Sequence, residues 1–338
     1  MLKGGILGFG GMGRGFAKAV NSRSDAKITT VFDVSKEALK LVEKDFNLKT
    51  VKTPEELMKA DIDFVIIAST SNAHMEHSLL AAENKKHFIC EKPIALELKD
   101  ADKMVNAVEK AGVVNVVNYT MRFSNMHKKI KDMVDAGALG NILSAWIMRS
   151  RGFGLYSGGG RHPAIMETSK SGGWIVHHTC HGLDFLQWIC GDIKSVVSKT
   201  RTTVPGGKSE EIVWGLLDFE SGAMGMIGDS IMNQRYASVG ITGDKGTLTI
   251  VGTEKGNVLR FRKEEGKEYY SFALPGDIID IVEEKRPFGL VLDHFFGCIK
   301  EGKKSDIDIS AARKALAASL ALKMSSETNS FVTVKSVK

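Results

Sequence analysis

The sequence predicts two α/β domains: a doubly wound parallel sheet over residues 1–121, and a second domain over 122–338 built on a mostly antiparallel sheet. Three observations predict them. The first 120 residues alternate short β-branched runs with helical patterns, which is the signature of parallel strands joined by crossover helices. A glycine-rich turn, Gly8-Phe9-Gly10-Gly11-Met12-Gly13, stands between the first strand pattern and the first helical one. After Arg122 the alternation stops, and paired strand patterns flank short glycine turns.

Taken in order, strands are expected near Lys3 to Leu7, Lys27 to Phe32, Asp63 to Ala68, His87 to Cys90 and Val113 to Asn118. Between them, Gly11 to Asn21, Ser35 to Phe46, Asn72 to Asn84 and Leu98 to Ala111 carry apolar residues at three- and four-residue spacing, the period of a one-faced helix. Pro54 suits the first turn of a shorter helix, where its missing N–H costs nothing. The second domain opens with an amphipathic helix at about Ser124 to Ala136 and a long strand at Ile142 to Arg149. A glycine-rich loop follows, then a helix from Trp174 to Cys190. Glu211 to Phe219 and Ala223 to Ser230 read as one hairpin, and Tyr236 to Thr242 with Thr247 to Val251 as another. Helices at Leu290 to Lys300 and Ala311 to Thr328 close the chain.

Composition narrows the function classes. With 43% hydrophobic and 25% charged residues in 338, the chain has the make-up of a globular protein with sizeable cores, and no apolar run approaches the roughly 18 residues of a membrane span. No membrane association is expected. The N-terminus turns glycine-rich too early for a secretory signal, and four cysteines without a Cys-x-x-Cys pair suit buried thiols in a reducing cytoplasm. The net charge of +6 is concentrated in one stretch: Arg122 to Lys170 holds eight basic against three acidic residues, among them Arg149, Arg151 and Arg161. Such a surplus is either a solvated face or a site for an anionic ligand group. No aromatic-basic alternation accompanies it, so nucleic acid is not expected as a partner.

Each glycine of the first turn has a task in dinucleotide binding. Gly8 permits the tight turn, Gly10 lets the backbone approach a pyrophosphate, and Gly13 allows close helix–sheet packing, with Phe9, Gly11 and Met12 completing the loop. Asp33 ends the second strand 20 residues beyond Gly13, where a carboxylate accepts the two hydroxyls of an adenosine ribose. The same charge repels a 2′-phosphate, so NAD is expected over NADP, although Lys36 keeps NADP possible. Ser69, Thr70, Asn72 and His74 follow the strand ending at Ala68, on the carboxyl edge where ligands of open α/β sheets bind. Glu91-Lys92-Pro93 follows the next strand and puts Lys92 where it can bond a substrate hydroxyl and favour the developing alkoxide.

The densest constellation lies in Gly172 to Asp184. On a continuous helix His177, His181 and Asp184 fall at i, i+4 and i+7 and share a face, a spacing that serves a general acid–base relay or, alternatively, a metal site. His178 and Cys180 point elsewhere on such a helix, which suits structural roles.

Together, Gly8 to Gly13, Asp33, Ser71-Asn72-Ala73-His74, Glu91-Lys92-Pro93, Asn118 to Phe123, and Gly172-Gly173 leading to His181-Gly182-Leu183-Asp184 resemble the Gfo/Idh/MocA oxidoreductases, the glucose-fructose oxidoreductase and inositol dehydrogenase group. The resemblance covers most of the chain. It implies an N-terminal Rossmann domain, a C-terminal domain with a large open sheet through which homodimers or homotetramers form, and hydride transfer at a ring carbinol of a sugar or cyclitol. It also implies that Lys92 and His181 are catalytic, and that Arg122 and Trp174 contact cofactor or substrate. One position departs from the pattern. Four residues before the histidine the family usually has aspartate, and this chain has His177, which replaces an acceptor-only carboxylate with a group that also donates. With the basic surplus, that swap favours a substrate carrying a carboxylate or another electron-rich group. The competing expectations are a redox-neutral enzyme that keeps its cofactor bound for elimination or glycoside processing, and a non-catalytic dinucleotide-binding regulator.

Overall fold

A computed structural model describes residues 1–150, 167–203, 207–231, 236–253, 256–263, 277–279, 281 and 288–337. Two compact units divide the chain: 1–120 with 286–316, and 121–285 with 317–337. In the first, strands β1 (Leu2–Leu7), β2 (Ala26–Phe32), β3 (Lys49–Thr50), β4 (Phe64–Ile67), β5 (His87–Cys90) and β6 (Asn115–Val117) form one parallel sheet in the order β3-β2-β1-β4-β5-β6. Helices α1 (Gly11–Asn21), α2 (Lys36–Leu41), α3 (Pro54–Met58), α4 (His74–Glu83) and α5 (Leu98–Ala111) make the connections. All four residues of β4 are buried, because a central strand of a doubly wound sheet is covered on both faces. Thr53 caps α3 through its hydroxyl, with Pro54 in the first turn as expected. The helix expected over Ser35 to Phe46 is shorter. It ends at Leu41 and continues as a π-helical turn, Val42–Phe46, which terminates at Asn47 in the left-handed region (φ 49°).

The second unit carries α6 (Asn125–Asp135), β7 (Ile142–Ser150), α7 (Thr168–Ser171), α8 (Cys180–Cys190), β8 (Ile193–Arg201), β9 (Ile212–Phe219), β10 (Met224–Ser230), β11 (Tyr236–Gly243), β12 (Gly246–Thr253), β13 (Gly256–Lys263) and β14 (Asp277–Ile279). The chain closes with α9 (Gly289–Glu301), α10 (Ile309–Thr328) and β15 (Val332–Thr333). Nine strands make a sheet in the order β14-β13-β12-β11-β7-β10-β9-β8-β15, antiparallel except where β10 runs parallel to β7. One face of this sheet is the core. Ile147, Val196, Val213, Leu217, Ile227 and Ile241 alternate inward along their strands and bury against Leu183, Leu186 and Leu322. Both expected hairpins are present as β9–β10 and β11–β12.

A single cut after residue 121 does not describe the chain, because 286–316 returns to the first unit. The reason is aromatic packing. Phe288 stacks beside Phe16 at 4.7 Å, Phe295 and Phe296 meet Phe64 at 5.9 and 5.2 Å, and Asn115 Oδ1 accepts from the Ile309 N–H at 2.8 Å. Among the described residues no helix is long and apolar enough to cross a membrane, and all four cysteines are buried and unpaired with one another.

Candidate active site

The glycine turn of the first unit has the shape its spacing requires. Gly8 adopts φ +93°, and a Cβ there would stand 2.5 Å from the Ser69 nitrogen. A Cβ on Gly13 would collide with the Gly8 carbonyl oxygen, so the crossing of α1 over β1 depends on its absence. Gly10 and Gly11 differ: nothing lies within 4 Å of a Cβ at either, and no side chain caps the helix that Gly10 begins. Open space and uncapped N–H groups at a helix N-terminus fit a pyrophosphate. Asp33 is tied to this turn. Its Oδ2 accepts from the Phe9 N–H at 2.5 Å and its Oδ1 from Ser35 N–H at 2.7 Å, which fixes the carboxylate at the carboxyl end of β2 while each oxygen keeps a lone pair for a ribose hydroxyl. These residues fit a dinucleotide. Phe9 contributes backbone only, since its ring is buried edge-on against Phe46 at 5.0 Å, whereas Met12 is exposed beside the turn.

Past β4, Thr70 and Asn72 are exposed at the sheet's carboxyl end, as expected of cofactor contacts. Ser69 spends its hydroxyl on His77 Nδ1 at 2.9 Å. His74 is a correction: it is 1% exposed, with Nδ1 2.7 Å from the Pro93 carbonyl and Nε2 3.0 Å from the Ser69 carbonyl. It latches the β4 loop to the Lys92-Pro93 turn, whose peptide bond is cis, and has no surface left for a cofactor. Burial pulls its pKa down to about 4, against the pull of the two carbonyls. Glu91 is likewise buried and receives the Asn118 amide at 2.7 Å, with burial raising its pKa. Its role is to seat Asn118 under the turn rather than to meet a ligand. Between buried Glu91 and Pro93, Lys92 is half-buried.

In the second unit the helix expected from Trp174 to Cys190 covers that range, but its winding is not uniform. Residues Ile175–Thr179 form a π-helical turn, and α8 starts only at Cys180. The wider π turn changes the phase of everything before it, so the neighbours differ from those of an i, i+4, i+7 stripe. The His178 ring stands beside His181, at 5.9 Å and 68°. Its other face stacks on Trp174 at 4.3 Å and 15°. His178 Nδ1 bonds Asp229 Oδ2 at 2.8 Å, Trp174 Nε1 donates to Asp229 Oδ1 at 3.3 Å, and Arg149 Nη2 lies 3.0 Å from the His178 ring nitrogens. His177 is half-buried and His181 is 9% exposed. Among the described residues no group of three metal-ligating side chains gathers to hold an ion.

Three more expectations need correction. Trp174 is 1% exposed and belongs to the core, so its indole orients Asp229 instead of a substrate. Arg122 is locked to Asp184 by two parallel bonds, Nε to Oδ2 at 2.9 Å and Nη2 to Oδ1 at 2.7 Å, over the Trp188 ring at 5.4 Å. Asp184 therefore serves Arg122. Arg151 and Arg161 lie outside the described residues. Sequence reasoning missed Asp229 altogether, because its link to His178 spans 51 residues and depends on β10 lying beside β7, where Asp229 is in register with Arg149.

Comparison with known proteins agrees with both units. Residues 2–119 match the GFO/IDH/MocA model described as an oxidoreductase family with an NAD-binding Rossmann fold, and residues 127–249 match that family's C-terminal domain. The chain is 31% identical over 267 residues to a 2,7-anhydro-N-acetylneuraminate hydratase of Escherichia coli (strain K12), spanning 77% of this chain and 70% of that protein. It is 27% identical over 348 residues to a myo-inositol 2-dehydrogenase of Thermotoga maritima, spanning 98% of each. A levoglucosan dehydrogenase solved in complex with NADH shares the fold with a TM-score of 0.86 at 19% identity, covering 98% of this chain and 99% of that one.

Proposed function

Because this chain belongs to the GFO/IDH/MocA family of oxidoreductases and its first unit is an NAD-binding Rossmann domain, we propose that it transfers hydride between NAD and a secondary hydroxyl or ketone of a sugar, sugar acid, glycoside or cyclitol. The observation that carries the reading is the joint presence of the open glycine turn with its tethered Asp33 and of Lys92 and His181 at the family's positions. Relatives named as dehydrogenases of myo-inositol and D-apiose support the substrate class.

When bound, the nicotinamide accepts hydride from the carbinol carbon. The residues do the rest. Lys92 donates a hydrogen bond to the reacting oxygen and stabilises negative charge as it develops there. His181 takes the hydroxyl proton, and in the reverse direction returns it. Neutral imidazole is needed for the first task, so oxidation is expected to fail at acid pH. His177 stands four residues before this histidine, where an aspartate is usual, and supports the acid–base residue as a donor or acceptor.

The outward face of the nine-stranded sheet supports self-association. Val197, Leu216, Met226 and Trp146 line up across four adjacent strands by register, and Trp214, Leu216 and Met224 are 48%, 50% and 60% exposed. An apolar stripe of this kind marks an interface, and a second copy of the chain is the partner proposed, as a homodimer or homotetramer. Four buried thiols suit work in a reducing compartment such as the cytoplasm.

The test is nicotinamide reduction, followed by absorbance, with NAD and with NADP over neutral sugars, uronic acids, glycosides and inositols. Reduction confined to a few ring polyols, faster with NAD and lost in Lys92→Ala and His181→Ala, is expected. Turnover in which a tightly held cofactor keeps its oxidation state would replace this reading with a redox-neutral one.

A further inference from the structure

From the surroundings of Arg149 we infer that this residue is the anchor for a carboxylate on the substrate, so that the preferred substrates are acidic sugars; the inference rests on the substrate class proposed above and narrows it. The side chain of Arg149 is 15% exposed, yet its charge is poorly matched within the protein. Nη1 bonds the thioether of Met121 at 3.0 Å, a weak acceptor, and Nη2 lies 3.0 Å from both ring nitrogens of His178, an imidazole that offers no negative charge. Among the described residues the one carboxylate near it, Asp229, is 3.8 Å away and already accepts from His178 and Trp174. Among the described residues no further acceptor bonds this guanidinium, although a fork of five donors calls for a carboxylate in plane. A largely desolvated cation in that condition is costly unless an anion completes it.

The position suits a substrate group. Ile147, on the same face of β7, packs where Gly182 of α8 lacks a side chain, its Cγ2 3.2 Å from where a Cβ would stand. Arg149 is the next same-face residue, about 6.6 Å further along the strand. It reaches His178, whose ring neighbours His181. An anion on Arg149 therefore lies about one sugar ring from the acid–base histidine. Charge decides between carboxylate and phosphate. With the Asp229 carboxylate 3.8 Å away, a phosphate dianion on this one guanidinium is repelled more strongly than a carboxylate monoanion.

The experiment compares binding and turnover of hexuronates, their parent hexoses and hexose phosphates. Calorimetry on the NADH-loaded protein reads affinity, and nicotinamide absorbance reads kcat/KM. In the wild type, uronates are expected to bind at least tenfold tighter than the hexoses, with hexose phosphates no better than the hexoses. Arg149→Gln should lower the uronate-over-hexose ratio by about ten- to a hundredfold, the worth of a charge-assisted bond. Arg149→Lys keeps the charge and loses the fork, so an intermediate ratio is expected, and it carries the test should the Gln variant show an altered circular dichroism spectrum. Equal wild-type affinities, a preference for phosphates, or a ratio unmoved in whichever variant folds would overturn the inference. The two readings separate: uronate binding through Arg149 without any NAD reduction would sink hydride transfer alone, whereas reduction of neutral sugars without uronate preference would sink this inference alone.

Discussion

The second unit holds two arginine–aspartate pairs that use the same residue types to opposite ends. Arg122 and Asp184 form a closed pair: two parallel bonds under 3 Å, side chains 9% and 1% exposed, and an indole beneath the guanidinium. Arg149 and Asp229 form an open one, 3.8 Å apart with a histidine inserted between them. A guanidinium satisfied by its own protein braces the fold. One left short of acceptors is poised for something that arrives. Both stand close to His181 in the fold or the chain, so their difference separates structure from chemistry at one histidine.

The largest effect should come from that histidine. His181→Ala is expected to lower kcat by about 10²- to 10⁴-fold, the range for a lost general acid–base group, measured by nicotinamide absorbance. If turnover survives intact, neither pair borders a reacting centre and the contrast between them loses its functional meaning.

Stability then tests the closed pair. Arg122→Met strands a buried Asp184 and should cost about 3–5 kcal/mol by urea unfolding. Asp229→Asn keeps an acceptor oxygen for only one of His178 and Trp174 and removes a carboxylate that its arginine only approaches, so about 1–3 kcal/mol is expected. Equal losses would show the two pairs to be alike.

Acid sharpens the comparison next. His127 is half-buried with its ring edge-on to Phe185 at 5.0 Å, and desolvation, then the charge of Arg149, pulls its pKa down from 6.5 to about 4. The unfolded chain therefore takes up a proton that the folded one refuses. Stability is full above about pH 6.5 and falls as pH drops towards 4, by up to about 3 kcal/mol for this residue. His74, held at about 4 by burial, acts in the same window. Urea midpoints from pH 7 to 4 should decline in wild type and decline less in His127→Gln. An equal decline would mean that Arg149 and its apolar surroundings leave His127 unperturbed.

How much of this was legible in the sequence depended on how local the cause was. The glycine turn and Asp33 are set by steric demands within 33 residues, and both landed where their spacing puts them. Lys92 and His181 were named from motifs, but their surroundings were not. The π turn at Ile175–Thr179 has no signature in a 3.6-residue period, so the stripe of His177, His181 and Asp184 assumed a uniform winding that the first turn of this helix does not keep. Asp229 was invisible because a parallel β10–β7 pairing inside an antiparallel sheet brings it to Arg149. His74 and Trp174 sit in functional-looking stretches and are buried, since polar groups in a core can be satisfied by carbonyls and carboxylates that no local pattern reveals.

The smallest expected effect on stability carries the comparison into the first unit. Gly10 is its counterpart of Arg149, a position whose fit is incomplete within the protein: a Cβ there meets nothing within 4 Å, whereas one on Gly13 strikes the Gly8 carbonyl. Gly10 also lies outside the left-handed region, at φ −69°, so an alanine suffers no backbone strain. Gly10→Ala should therefore shift unfolding by less than about 0.5 kcal/mol. It should nevertheless weaken NAD, because the methyl enters the space where a pyrophosphate must approach. Gly13→Ala should lose fold stability and NAD together. Urea unfolding paired with NAD titration separates the two. If Gly10→Ala binds NAD as well as wild type, the open space over the turn is not where the cofactor lies, and an open position in this fold would no longer be a guide to its ligands.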